Sequence, residues 1–189
     1  MSSLPAWYPD PSESKAAPMP LLLVQAFLNT RDLEAETDVL SNADAARAWL
    51  QAAGLLPRRS SLEPAGLSLA LEVREGLRSL LASNGDGAGP GALQRLTETH
   101  RLQMTVDDHG VFAVENAPRD DGLEDRLFGL LLIVHNAQQH GTWTRLKACA
   151  NPECGWVYYD RSRNQQGNWC DMAVCGNRLK NRALRARQR

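Results

Sequence analysis

Four cysteines stand as Cys149-x4-Cys154-x15-Cys170-x4-Cys175, and no residue before position 149 is a cysteine. Two short, equal Cys–Cys spacings joined by a longer loop suit one tetrahedral ion, because each pair makes a tight knuckle and the loop folds the knuckles together. Soft thiolates in a small irregular segment select zinc; an iron–sulfur cluster and a set of unligated thiols are the alternatives. Four protein ligands leave no position for water, so the expectation is one structural Zn2+ per chain and no catalytic metal.

A cationic segment follows at once, carrying Arg178, Lys180, Arg182, Arg185, Arg187 and Arg189. On a helix opened by Cys175-Gly176-Asn177, residues Arg178, Arg182, Arg185 and Arg189 fall within a ~60° arc over roughly 16 Å of axis. Leu179, Ala183 and Ala186 form a neighbouring apolar face for docking on the metal module. Phosphates reward such a row, since each cation displaces condensed counterions. Arg161 and Arg163, on the turn between the knuckles, would reach a second phosphate track. The nucleic-acid candidates are therefore Arg161, Arg163, Arg178, Lys180, Arg182, Arg185 and Arg189, with DNA as the expected partner. RNA is the first rival. The second is a protein-interaction adaptor in which zinc is a staple and the basic helix docks on an acidic surface; a solvated basic tail is the plainest reading.

The elements that must hold this module are mostly helical. Residues 1–20, rich in Pro, Ser and Ala, read as a flexible lead-in. An apolar helix then runs over 21–28, and Ser41 or Asn42 caps a short one that stops at Gly54. A helix from Pro64 to about Ser83 shows Leu67, Leu71, Leu77, Leu80 and Leu81 on one face. A glycine-rich break covers 84–91, and a helix resumes over 92–100. Residues 102–106 and 111–115 form a hairpin around Asp107-Asp108-His109-Gly110. A long helix follows over 123–140. Between the knuckles, 156–160 reads as a strand, with 168–170 returning beside it. Trp156, Tyr158 and Tyr159 are expected to pack rather than to stack on bases. The fold class is mainly α with a small β-hairpin: a helical N-terminal domain (21–144) and a C-terminal treble-clef-like zinc finger (145–189).

Charge divides the same way. Residues 1–144 carry 11 Lys and Arg against 19 Asp and Glu, whereas 145–189 carry 10 against 3. A basic end suits a polyanion, while the acidic body does something else; intramolecular docking of the two halves is the alternative. No signal peptide is visible, and the apolar run 127–134 is too short to span a bilayer. A cytoplasmic protein with no membrane contact is expected, in which reduced thiols serve metal. No Gly-x-Ser-x-Gly elbow or phosphate loop occurs, and every cysteine is committed to metal, so no enzyme is expected. The body is expected to hold a small-molecule effector, to form a homodimer, or both. Asn29, Arg31, His135 and Asn136 are the candidate pocket residues, with His140 one turn beyond Asn136.

Cys175-Gly176-Asn177-Arg178 resembles the naming motif of the CGNR zinc finger, as do Tyr159-Asp160-Arg161-Ser162-Arg163-Asn164, Trp169-Cys170 and Met172-Ala173-Val174-Cys175 around it. Residues 20–140 resemble the ABATE domain, a module of stress-induced bacterial transcription regulators, chiefly in Phe27-Leu28-Asn29-Thr30-Arg31 and in Trp49-Leu50 before Gly54-Leu55. The resemblance implies transcription regulation in a stress response, with DNA bound through the finger.

Overall fold

Burial of one short helix organises the chain. Helix α1 (Leu21–Leu28) starts after Pro20 and buries seven of its eight residues, as a helix apolar all round must. It packs on α3 (Pro64–Ala82) and α5 (Leu123–Gln139), and α4 (Gly91–Thr99) closes on those two. Helix α2 (Ala43–Ala52) is capped by Asn42, whose side chain accepts from the Asp44 and Ala45 amides. The computed structural model describes residues 4–82, 91–117 and 121–187, without the side chains of 183, 184, 186 and 187. Arg189 and nearly all of the expected break at 84–91 lie outside the described residues. Among them, no helix is long and apolar enough to cross a membrane.

Among the described residues three two-stranded antiparallel sheets accompany the helices: β1–β2 (Arg31–Asp32, Thr37–Asp38), β3–β4 (Leu102–Val106, Phe112–Asn116) and β5–β6 (Leu146–Ala148, Val157–Tyr159). The β3–β4 hairpin and a strand over 156–160 were expected; the β1–β2 pair was not, its strands of two residues being too short for an alternating pattern to register. The return strand also differs. β6 pairs with β5, with Leu146 opposite Tyr159 and Ala148 opposite Val157. Residues 168–170 form no strand; the Ala150 amide donates to the Asn168 carbonyl at 2.8 Å.

On α3 the fully buried positions are Ala70, Val73, Arg74 and Leu77; of the leucine face expected there Leu77 is buried, and Leu67, Leu71, Leu80 and Leu81 are partly buried against the same core. Arg74 is the charged member of the buried stripe. Its guanidinium is almost fully buried and meets the Asp38 carboxylate through two bonds of 2.6 and 2.7 Å. Burial alone would raise the Asp38 pKa, but the bond from Arg74 and that from the Leu40 amide hold it below the usual range.

Residues 4–20 were expected to be a flexible lead-in, yet Tyr8, Ala16 and Ala17 are buried. Trp49 Nε1 donates to the Trp7 carbonyl at 2.7 Å, and the Tyr159 amide to the Lys15 carbonyl at 2.8 Å. The segment straps the body to the finger. Leu146, Val157 and Tyr159 of the finger share one core with Phe27, Leu28, Leu77 and Leu130 of the helices.

Candidate metal centre and nucleic-acid interface

Cys149 and Cys154 flank the tip of the β5–β6 hairpin, and Cys170 and Cys175 precede α6 (Asn177–Arg187). All four Sγ atoms lie within 4.8 Å of one another. Cys154 and Cys170 sulfurs are 3.6 Å apart, and Cys170 and Cys175 sulfurs 3.8 Å. A tetrahedron with Zn–S bonds of about 2.3 Å has sulfurs about 3.8 Å apart. The residues therefore fit one structural zinc ion, which would be held by these four thiolates.

The sulfurs already act as a set. A hydrogen bond from Cys170 draws the Cys154 thiol down to about 6. That same bond, with burial, pushes Cys170 up, and burial pushes Cys175 up to about 11. A metal ion resolves this competition by displacing the protons. Trp156 and Trp169 pack against the cysteines, and Tyr158 and Tyr159 are buried, so the aromatics supply core as expected.

Local geometry explains the residues around the ligands. Asn151, fully buried, points Nδ2 at the Cys175 sulfur (3.8 Å), while its carbonyl accepts from the Cys154 and Gly155 amides. Asp171 caps a wide turn, Met172–Gly176, that leads into α6. A Cβ at Gly176 would run into Met172 Sδ and lie 3.1 Å from Trp169, so a side chain there would have to displace the Met172 thioether and press on the Trp169 ring. Asn177 Nδ2 donates back to the Ala173 carbonyl at 3.1 Å. Asp160 ties the turn between the knuckles, accepting from Ser162, Lys147 and Gly167. Burial would raise its pKa, yet these bonds hold it well below the carboxylate range.

The outer edge of β6 is read by side chains. Strand pairing uses one side, which leaves the Val157 amide and carbonyl without a strand partner. Asn29 supplies both bonds: its Oδ1 accepts from the Val157 amide and its Nδ2 donates to the Val157 carbonyl, each at 2.8 Å. Gln25, one helical turn earlier on the same face, donates to the same carbonyl at 3.1 Å. Arg78 clips the first knuckle to the body, bonding the Leu28 carbonyl at 2.6 Å and the Gly155 carbonyl at 2.9 Å. Lys15 Nζ reaches the Trp169 carbonyl at 2.7 Å and stands 4.8 Å over the Tyr158 ring.

The basic residues divide into two sets. Arg178 pairs with Glu34 on the β1–β2 loop at 2.8 Å, and Arg182 with Glu153 in the first knuckle at 3.0 Å. Arg161 donates to the Ala16 carbonyl at 2.6 Å. Arg163, Lys180 and Arg185 are exposed and form no ion pair among the described residues. Leu179 is half-buried, as a docking position should be.

The candidate pocket residues of the body do not converge. Asn29 is buried against β6, and Arg31 pairs with Glu75 at 3.5 Å on the surface. His135 and Asn136 are exposed on α5, and His140 Nδ1 bonds the Asn136 carbonyl at 2.7 Å. A cleft of about 630 Å3 does open between the strap, the β1–β2 loop and the finger, lined by Asn29, Glu13, Asp32, Glu34, Trp156 and Cys170 among others. His135 and Asn136 do not line it.

Sequence reading missed Gln25, Arg78, Lys15, Glu34 and Glu153. Each is an ordinary polar residue locally, and only the tertiary fold brings it to the finger.

Taken together, a helical body is fused to a four-cysteine zinc finger. The chain belongs to the ABATE family, described as "Putative stress-induced transcription regulator", which it matches over residues 22–140. Residues 145–188 match the CGNR zinc finger. No curated protein matches the chain.

Proposed function

We propose that this protein is a non-enzymatic, cytoplasmic regulator of transcription that binds duplex DNA through α6. The observation that carries the reading is the placement of the basic helix. Its start is pinned by the Cys170–Cys175 half of the metal site, while Lys180 and Arg185 stand exposed. Arg178, Arg182 and Arg185 share one face. The first two are held by exposed ion pairs with Glu34 and Glu153, which are weak and screened by salt. A phosphate backbone would replace those carboxylates. Arg163, on the turn between the knuckles, supplies a second contact. Phosphate contacts of this kind fix position, and base contacts would select sequence.

The test is equilibrium binding of the zinc-loaded full chain to duplex DNA across a salt series, compared with Arg178, Arg182 and Arg185 changed together to Ala. At low salt the variant should bind at least about tenfold more weakly, and its log–log salt slope should flatten by roughly 2–3. Equal affinity and slope would overturn the reading. One observation favours an adaptor instead: Arg178 already meets the acidic body through Glu34. No nucleic-acid binding by wild type at low salt would move the helix to that role, and tighter binding to structured RNA of equal length would change the polyanion.

A further inference from the structure

The β3–β4 hairpin is well built; among the described residues it meets α5 at its base, and its strands are otherwise exposed. Its register sets Leu102, Met104 and Val106 opposite Asn116, Val114 and Phe112. Residues directly opposite each other, and two apart along a strand, share a face. Five apolar side chains and one asparagine therefore line one face, while Gln103, Thr105, Ala113 and Glu115 line the other. The turn is fixed: the Asp107 carboxylate accepts from the His109 and Val111 amides, and Gly110 sits at φ 76°. Asn116 anchors the base of the hairpin to Asp125 on α5 at 3.1 Å.

The apolar face is open. Leu102 is 53% exposed, Met104 70%, Val106 57%, Phe112 70% and Val114 51%. At roughly 100–150 Å2 per such side chain, the five present about 600 Å2, the upper end of what a monomer ordinarily leaves bare. A two-stranded sheet with an uncovered apolar face is also marginal by itself.

We propose that this face is a self-association surface, on which two copies of the chain stack their β3–β4 hairpins about a two-fold axis. The patch holds no charge, so its complement is another uncharged apolar sheet face. A two-fold contact supplies that, since it sets the same patch on both sides. Two faces of about 600 Å2 bury at most about 1,200 Å2, which clears the roughly 1,000 Å2 asked of a specific interface when most of each face is covered. The pairing carries two fingers on one particle, whatever polyanion they meet.

Sedimentation equilibrium of the zinc-loaded full chain over micromolar concentrations tests it. Wild type should be a dimer, and Met104→Glu with Phe112→Glu should weaken association on the order of 100-fold, because two carboxylates would be buried on each side. Thr105→Glu, on the opposite face, should leave the dimer intact. Val114→Gln is the milder companion, expected to weaken it about tenfold. The far-ultraviolet helical signal should be unchanged in all of these. A wild type that stays monomeric throughout would overturn the proposal. So would a double variant that dimerises as tightly as wild type, or Thr105→Glu acting as strongly as the double change.

Discussion

The two longer-reaching hairpins of this molecule invert the usual relation between sequence signal and burial. β3–β4 has five-residue strands, clear alternation and a glycine turn, yet almost all of it is exposed. β5–β6 has three residues per strand and no alternation in β6, where Val157, Tyr158 and Tyr159 are all buried. The first is specified locally and left open. The second is specified by what surrounds it: four cysteine sulfurs at its tip, Asn29 and Gln25 along its outer edge, the strap at Lys15, and the helical core beneath. Local pattern thus tells where a strand forms, and tertiary partners decide what it is for.

Zinc removal should separate the two hairpins most sharply. Structural zinc sites carry apparent binding energies of about 10–16 kcal/mol, more than any single contact here. Chelation should abolish amide protection at Val157 and Tyr159 and lower the melting temperature of the shared core, with β3–β4 exchange unaltered. Undiminished protection at β6 without metal would break the comparison. Acid should act in the same way, since protons compete for the thiolates. Asp160 does not set that sensitivity. Its folded pKa is depressed, so its contribution is complete above the ordinary carboxylate value of about 3.9 and is lost only as pH falls below it. Finger loosening above about pH 4 is therefore expected to track zinc release, read by a chromogenic chelator.

A smaller effect is expected from Asn29→Ala. It strands the buried Val157 amide and removes one of two donors to its carbonyl, at a cost of about 2–4 kcal/mol. Denaturant unfolding should show that loss, with zinc stoichiometry retained at one. A change under 0.5 kcal/mol, against the ~1–3 kcal/mol expected for one stranded buried group, would mean the side-chain edge does not hold β6. Smaller still is Gly110→Ala at the β3–β4 turn, where φ 76° costs an alanine about 1–2 kcal/mol. Faster exchange confined to β3–β4 is the expected readout, and altered β6 exchange would contradict the independence of the two hairpins.

Much of this was legible in the residues. Cysteine spacing named the four ligands because knuckle geometry is local, and the apolar run 21–28 and the capped helix at Asn42 announced themselves through patterns of a few residues. The strap was not legible: its Pro, Ser and Ala composition resembles a loop, and its Lys15 and Ala16 carbonyls accept from the Tyr159 amide and the Arg161 guanidinium, far away in sequence. The burial of Arg74 was not legible either, since nothing near it in sequence reveals Asp38 as its partner. The candidate pocket scattered for the same reason. Asn29 was singled out for a ligand, and the atoms that occupy its amide are those of the chain's own β6.

Duplex-DNA binding across a salt series, with zinc content measured on the same sample, tests the central claim most directly. The account predicts one zinc per chain and affinity that falls with a log–log slope near −3 or steeper, as about three or more phosphates release counterions. One zinc per chain with no binding at the lowest salt would contradict it.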